Sequence, residues 1–347
     1  MQKSPQHQLT HIATALFILA ALQSCHPNVL SPTSTGDWIK KSELDGNVRT
    51  EAATFTINNM AYIGTGYNGI KNMTDFWQYD ASRDAWTQLT DFPGAARGSA
   101  VAFAIGSQGY VGTGYDQKTM FNDFYRYDVA TNSWTTSAPF AGSPRYDAVA
   151  FAINNKGYVT TGFDGGYQKD FWQYDPTVGT VGMWTQKTSF GGEKRSAATA
   201  FVIGTKAYLT TGTNNGTPCG DLWYYDATAD AWTQQRRIYN ATSQTYDDSY
   251  TDIERDNAVS FVIGDTAYIA TGENGGLLTT TWAYLPNQDQ WVKRSPIIVA
   301  RQGAVGFALN GYGYFSTGKT SESITGYLDD IVQFLPNKAL NLDDYGQ

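Results

Sequence analysis

The chain opens its first ordered pattern at residue 52. Ala52, Thr54 and Thr56 face one way and Phe55 and Ile57 the other, the two-residue period of a strand with one small-residue face and one large-residue face. Asn58-Asn59 then tolerates the positive φ of a tight turn, and a second run, AYIGTG, ends on Thr65-Gly66. After a variable loop comes DFWQYD, with Trp86 seven residues beyond its Tyr79. This predicts four short strands, a to d. An arginine stands just ahead of strand a as Arg49, and recurs as Arg97, Arg145, Arg195, Arg255 and Arg301, at intervals of 48, 48, 50, 60 and 46 residues. Thirteen residues after each arginine stands a tyrosine (Tyr62, Tyr110, Tyr158, Tyr208, Tyr268, Tyr314), and four residues later the glycine of a Thr-Gly pair. The turns between strands a and b recur as Gly106-Ser107, Asn154-Asn155, Gly204-Thr205, Gly264-Asp265 and Asn310-Gly311.

Six such units of short strands and turns predict an all-β, six-bladed β-propeller with four antiparallel strands per blade. The opening Arg, the Tyr before a Gly-terminated strand and the Tyr-to-Trp spacing together resemble the kelch repeat. The resemblance spans about Trp38 to Leu335, with Thr-Gly standing where a kelch repeat carries a glycine doublet. Trp38 lies eleven residues before Arg49, the spacing of Trp86, Trp134 and Trp184 from the arginines that follow them. The sixth unit has a strand c at 331–335 but no Trp-bearing strand after it. The N-terminal strand is therefore expected to pair into the last blade, removing two open edges and closing the ring.

The ends carry other signals. An eleven-residue apolar run at 12–22, too short to span a bilayer, followed by Leu22-Gln23-Ser24-Cys25, reads as a signal peptide over 1–24 ending in a sequence that resembles a bacterial lipobox. Cys25 is then the lipidation site, 25–36 a tether, 37–335 the propeller and 336–347 a polar tail. The expected location is the cell envelope, lipid-anchored, at the outer membrane, with the membrane met through the anchor alone. Without residues 1–24 the chain has 23 basic and 32 acidic residues, a net charge of −9, which disfavours nucleic acid. Cys219 is the remaining cysteine and no disulfide framework is expected. All three histidines lie at or before residue 26, so the propeller lacks the imidazoles of copper oxidase chemistry; no cofactor and no metal are expected.

Antiparallel blades gather the arginines, the b–c loops and the d–a connections on one face, where recognition loops belong. The arginine ring has two readings. It lines the channel mouth as an anion site, as the kelch resemblance implies for some members, or it ties blades together by pairing with Asp75, Asp123, Asp170, Asp221 and Asp330. Thr280 replaces the acid in the fifth unit, which leaves Arg255 as the expected free arginine. The enlarged 233–254 segment precedes it, with Tyr246, Tyr250 and acids (Asp247, Asp248, Asp252, Glu254) that match no calcium-loop spacing. Tyr67, Tyr115 and Phe163 are candidates for stacking on sugars. Three functions are expected to compete: a purely structural role, a non-catalytic lipoprotein, acting as a monomer, that recognises a glycan or an envelope protein, and a metal-independent sugar epimerase. The epimerase reading resembles the sialic-acid epimerases among kelch-like propellers, with Glu254, Glu273 and Arg255 as its candidate residues.

Overall fold

A computed structural model describes residues 35–44, 48–239, 250 and 252–345. The expected signal sequence, Cys25, most of the expected tether, Tyr246, Asp247 and Asp248 lie outside them. Among the described residues six four-stranded antiparallel sheets follow one another. The first blade comprises strands Ala53–Ile57, Met60–Gly64, Phe76–Asp80 and Ala85–Gln88. The sixth is built from Val305–Leu309, Tyr312–Ser316, Ile331–Ala339 and, as its strand d, Thr35–Lys41. The closing strand pairs Trp38 with Phe334 and Lys41 with Ile331. It begins at Thr35 and its partner runs to Ala339, so both overshoot the boundaries read from sequence, because Thr35 finds a partner in Ala339.

The alternation in strand a sets the packing between blades. Its phenylalanine stacks on the tyrosine of the adjacent strand b in every blade, from Phe55–Tyr62 at 5.1 Å to Phe307–Tyr314 at 5.5 Å. The same phenylalanine faces a minimal side chain on the next blade: a Cβ on Gly109 would lie 2.0 Å from the Phe55 ring, and one on Gly157 2.2 Å from Phe103. Small opposite large is what lets wedges close on an axis. Trp38 is fully buried at the seam, 4.6 Å from Phe334 and 5.1 Å from Phe315, and its indole donates to Ser295 O.

The Tyr-to-Trp spacing also has a local cause. The hydroxyl of Tyr79, Tyr127, Tyr225 and Tyr284 donates to the side chain five residues on (Asp84, Asn132, Asp230, Asp289), which holds positive φ in the c–d turn. In the third blade, whose hairpin is longer, Tyr174 donates to Val181 O instead.

Candidate functional site

Each arginine is wholly buried. Arg49, Arg97, Arg145, Arg195 and Arg301 bind Asp75, Asp123, Asp170, Asp221 and Asp330, and each also donates to the carbonyl of its blade's Thr-Gly threonine. The glycine of that pair returns the favour across the blade boundary: Gly66 N donates to Arg97 O at 2.7 Å, and the series runs around to Gly318 N on Arg49 O at 2.8 Å. The threonines of these pairs sit at φ near +60° and the glycines at +85° to +99°. A Cβ on Gly66 would stand 2.7 Å from Thr50 O. The Arg and the Thr-Gly pair are thus two halves of one inter-blade joint.

Arg255 is held as firmly. Its guanidinium donates to Thr271 O, Thr280 O, Ile253 O, Thr280 Oγ1 and the carbonyl of Asp252. Burial lowers its pKa to about 10, with Asp252 opposing the shift. The Asp252 carboxylate takes over the second task of the missing acid, accepting from the Trp282 indole at 3.1 Å as Asp75 does from Trp77 at 2.7 Å. The expectation of an arginine-lined mouth with Arg255 free is therefore corrected: the six guanidiniums point into the blade joints, where burial demands partners for every N–H.

What lines the mouth is the next residue but one. Glu51, Ser99, Asp147, Ala197, Asn257 and Gly303 ring the axis, all at φ between +51° and +63°. Their backbones are linked blade to blade, Ser99 N donating to Glu51 O at 2.9 Å and Glu51 N to Gly303 O at 2.7 Å. They enclose a cavity of about 120 Å³ above a channel walled by Ala52, Ala100, Ala148, Ala198, Ala258 and Ala304. A second tier surrounds the ring, in which the residue after each arginine bridges to the residue after each Thr-Gly: Thr50 to Tyr67, Gly98 to Tyr115, Tyr146 to Phe163, Ser196 to Thr213, Asp256 to Glu273 and Gln302 to Lys319.

The blade order decides this joint, and with it the repeat. This is a kelch-repeat β-propeller. The model of the KLHDC2/KLHL20/DRC7 Kelch-repeats domain matches residues 91–251. The solved structure of YjhT is similar to this kelch propeller with a TM-score of 0.68 and 19% identity, over 84% of this chain and 96% of that one, a likeness of fold. No curated protein matches the sequence. A kelch propeller suits a binding or interaction role, and its mouth is the concave polar site of this face.

Electrostatically the mouth is acidic. The Ser99 hydroxyl donates to Glu51 Oε2 at 3.2 Å and lies within reach of Asp147 too, but a single proton serves one carboxylate at a time. Burial, then repulsion from Glu51, pushes Asp147 up to about 7. Burial likewise raises Glu51, and burial with Glu273 beside it raises Asp256 to about 6. Burial pulls Lys319 down, but Glu322, 2.8 Å away, and Glu51 more than offset it, so its net shift is upward.

The sequence candidates scatter differently. Tyr67, Tyr115 and Phe163 do reach the rim, half-buried. Tyr115 stacks on Tyr146 at 5.1 Å, Tyr146 lies 5.6 Å from Phe163, Phe163 5.2 Å from Tyr167, and Tyr67 meets Tyr327 edge-on at 5.9 Å. Glu273 is at the rim beside Asp256, whereas the Glu254 carboxylate is turned toward Gly220 and Tyr239. Glu254, Glu273 and Arg255 therefore form no common site. Tyr250 packs on the outer strands of the fifth blade, 5.6 Å from Trp282, with its hydroxyl accepting from Trp291 N. Sequence reasoning missed Glu51, Ser99, Asp147 and Asn257. Their signal was there: two residues after each arginine, the repeat falls silent and every copy differs. Among the described residues no group of three or more His, Cys, Asp or Glu side chains is arranged to hold a metal ion.

Proposed function

We propose that this kelch propeller is a non-catalytic recognition protein of the bacterial cell envelope, anchored through a lipidated Cys25, that binds a glycan at the channel mouth. The observation that carries the reading is the rim of half-buried aromatic side chains around a polar cup, Tyr115–Tyr146–Phe163–Tyr167 on one side and Tyr67, backed by the buried Tyr327, on another. Rings placed so offer apolar platforms next to hydrogen-bonding groups, the combination that grips the C–H face and the hydroxyl edge of a sugar.

A glycan array probed with the protein and with Tyr146→Ala tests it. Retention of a defined saccharide class by the wild type, reduced at least severalfold in the variant, is the expected result; a protein that retains none, or a variant that binds as well, refutes the reading. The anchor is tested separately by mass spectrometry of the mature N-terminus, where a lipid-modified Cys25 is expected and an unmodified terminal residue other than Cys25 overturns it.

A further inference from the structure

Opposite the mouth, the other face of the disc collects the a–b turns and the c–d hairpins, and with them most of the exposed apolar surface. Among the described residues, five of the eight exposed large hydrophobic side chains lie there: Val178, Val181 and Met183 on the third blade, Tyr312 and Leu342 on the sixth. The third c–d hairpin has seven residues, 176–182, where the first has four, 81–84. From Pro176 to Met183 it carries no charge, whereas the first turn carries Arg83 and Asp84. Its backbone is tied down: Val181 O accepts from Ala138 N at 2.8 Å and from the Tyr174 hydroxyl at 2.7 Å, while the Val181 and Met183 side chains stay 46% and 48% exposed. Single exposed apolar residues need no explanation, but three on one fixed, uncharged turn do. On the sixth blade, Tyr312 follows the a–b turn, and Leu342 lies just beyond strand Ile331–Ala339, where Asn341 N donates to Asp37 Oδ1 at 2.9 Å.

We propose that this face rests on the bilayer that holds the protein's own lipid anchor, with Val178, Val181 and Met183 dipping into the headgroup boundary and the mouth turned away from the membrane. This rests on the reading of Cys25 as lipidated and adds the orientation. The choice of a bilayer as the occupant follows from where the chain enters the propeller. A strand d runs from the hairpin face toward the mouth, so Thr35, which opens the sixth blade's strand d and pairs with Ala339, lies at the hairpin face. Thr35 is ten residues beyond Cys25, a reach of at most about 36 Å even when fully extended. An anchor on that lead holds this face toward the lipid, but alone it would leave the disc free to tilt. The blades follow one another around the ring in chain order, so the third stands across from the sixth. A second apolar contact across from the anchored side removes the tilt. Valine and methionine side chains gain by leaving water, and a tyrosine suits the headgroup level. The mouth is then open to ligands arriving from solution.

The test uses the full mature protein, purified with its anchor, reconstituted into phosphatidylethanolamine–phosphatidylglycerol vesicles and labelled with an environment-sensitive fluorophore on one added cysteine. Cys219 escapes labelling because it is buried, and burial pushes its thiol up to about 11. A fluorophore on Val178→Cys is expected to be quenched by doxyl groups on the lipid chains at least severalfold more strongly than one on Ile70→Cys, an exposed position in a b–c loop of the mouth face. Adding Val181→Asp and Met183→Asp should return the fluorophore at 178 to water and cut its quenching severalfold, with the melting temperature unchanged, since both side chains are exposed. Equal quenching at 178 and 70, stronger quenching at 70, or quenching at 178 that the two acids leave intact overturns the proposal. Mass spectrometry of the same sample separates the failures. If Cys25 carries lipid and the fluorophore at 178 stays in water, the orientation is wrong and the anchor stands; if Cys25 carries none, the anchor reading has failed and the orientation falls with it.

Discussion

Replacing Arg145 by methionine keeps most of the buried stem and removes the guanidinium from the joint between the second and third blades. In the native protein that group donates to Thr161 O at 2.9 Å, Ser143 O at 3.1 Å, Ser143 Oγ at 2.8 Å and both oxygens of Asp170, at 2.5 and 2.8 Å. It also lies 5.0 Å from the Phe140 ring centre. Breaking a buried pair by deleting one partner costs about 3–5 kcal/mol, chiefly because the remaining charge is stranded. The Asp170 side chain is 21% exposed and keeps the Trp172 indole at 2.8 Å, so it recovers part of its solvation. The lower end, about 3 kcal/mol, is therefore expected, equivalent to a drop of roughly 6 °C in melting temperature for a domain of this size. Urea unfolding monitored by tryptophan fluorescence, alongside calorimetry, measures it. Arg145→Met/Asp170→Asn should be less unstable than the two single changes together by about 1–3 kcal/mol, since the double variant strands no charge. A single variant within 1 °C of wild type in this comparison, or strict additivity in the cycle, would refute the view that these arginines are structural.

Trp38→Ala should cost about 3–5 kcal/mol, as a fully buried aromatic at the ring seam, and should promote aggregation through the exposed edge of Ile331–Ala339; a melting temperature equal to wild type would mean that the ring does not depend on that strand. The folded pKa of Asp147, about 7, lies above the ordinary carboxylate value, so the folded state retains a proton that the unfolded chain gives up. Its contribution is full below pH 4 and is lost as pH rises from about 4 to about 7. Asp147→Asn should therefore flatten that part of the stability profile and be the more stable protein at pH 8, and melting curves with the wild-type slope would contradict this. Gly66→Ala, at φ +99° and against Thr50 O, should cost about 2 kcal/mol or more, whereas Gly106→Ala, at φ +59° in open space, should cost about 1 kcal/mol; thermal unfolding that ranks them the other way would argue against the joint.

Much of this protein is local in its physics, and that part was legible in the chain. Alternation of Phe55 and Ile57 with Ala52, Thr54 and Thr56 specifies a strand with a wedge-shaped partner on each side, and repetition of that unit at fixed offsets specifies a closed ring. Even the seam could be placed, because Trp38 keeps the same distance to Arg49 that Trp86 keeps to Arg97. Pairing of Arg with the acid that opens strand c was one of two readings, and the sequence had no means of choosing between them. The choice depends on whether the guanidinium points to the axis or into the joint, and backbone geometry settles that: with Thr65 and Gly66 both at positive φ, the Thr65 carbonyl and the Asp75 carboxylate converge on Arg49 inside the blade. Arg255 shows the limit most clearly. Its missing acid at 280 was visible, but the replacement, a main-chain carbonyl and a carboxylate from Asp252, comes from a loop whose path no periodicity records. The mouth was hidden for a related reason. Glu51 and Asp147 are 96 residues apart and belong to no motif; only closure of the ring turns one variable position per repeat into a circle of neighbours, and brings two carboxylates close enough to contend for one hydroxyl.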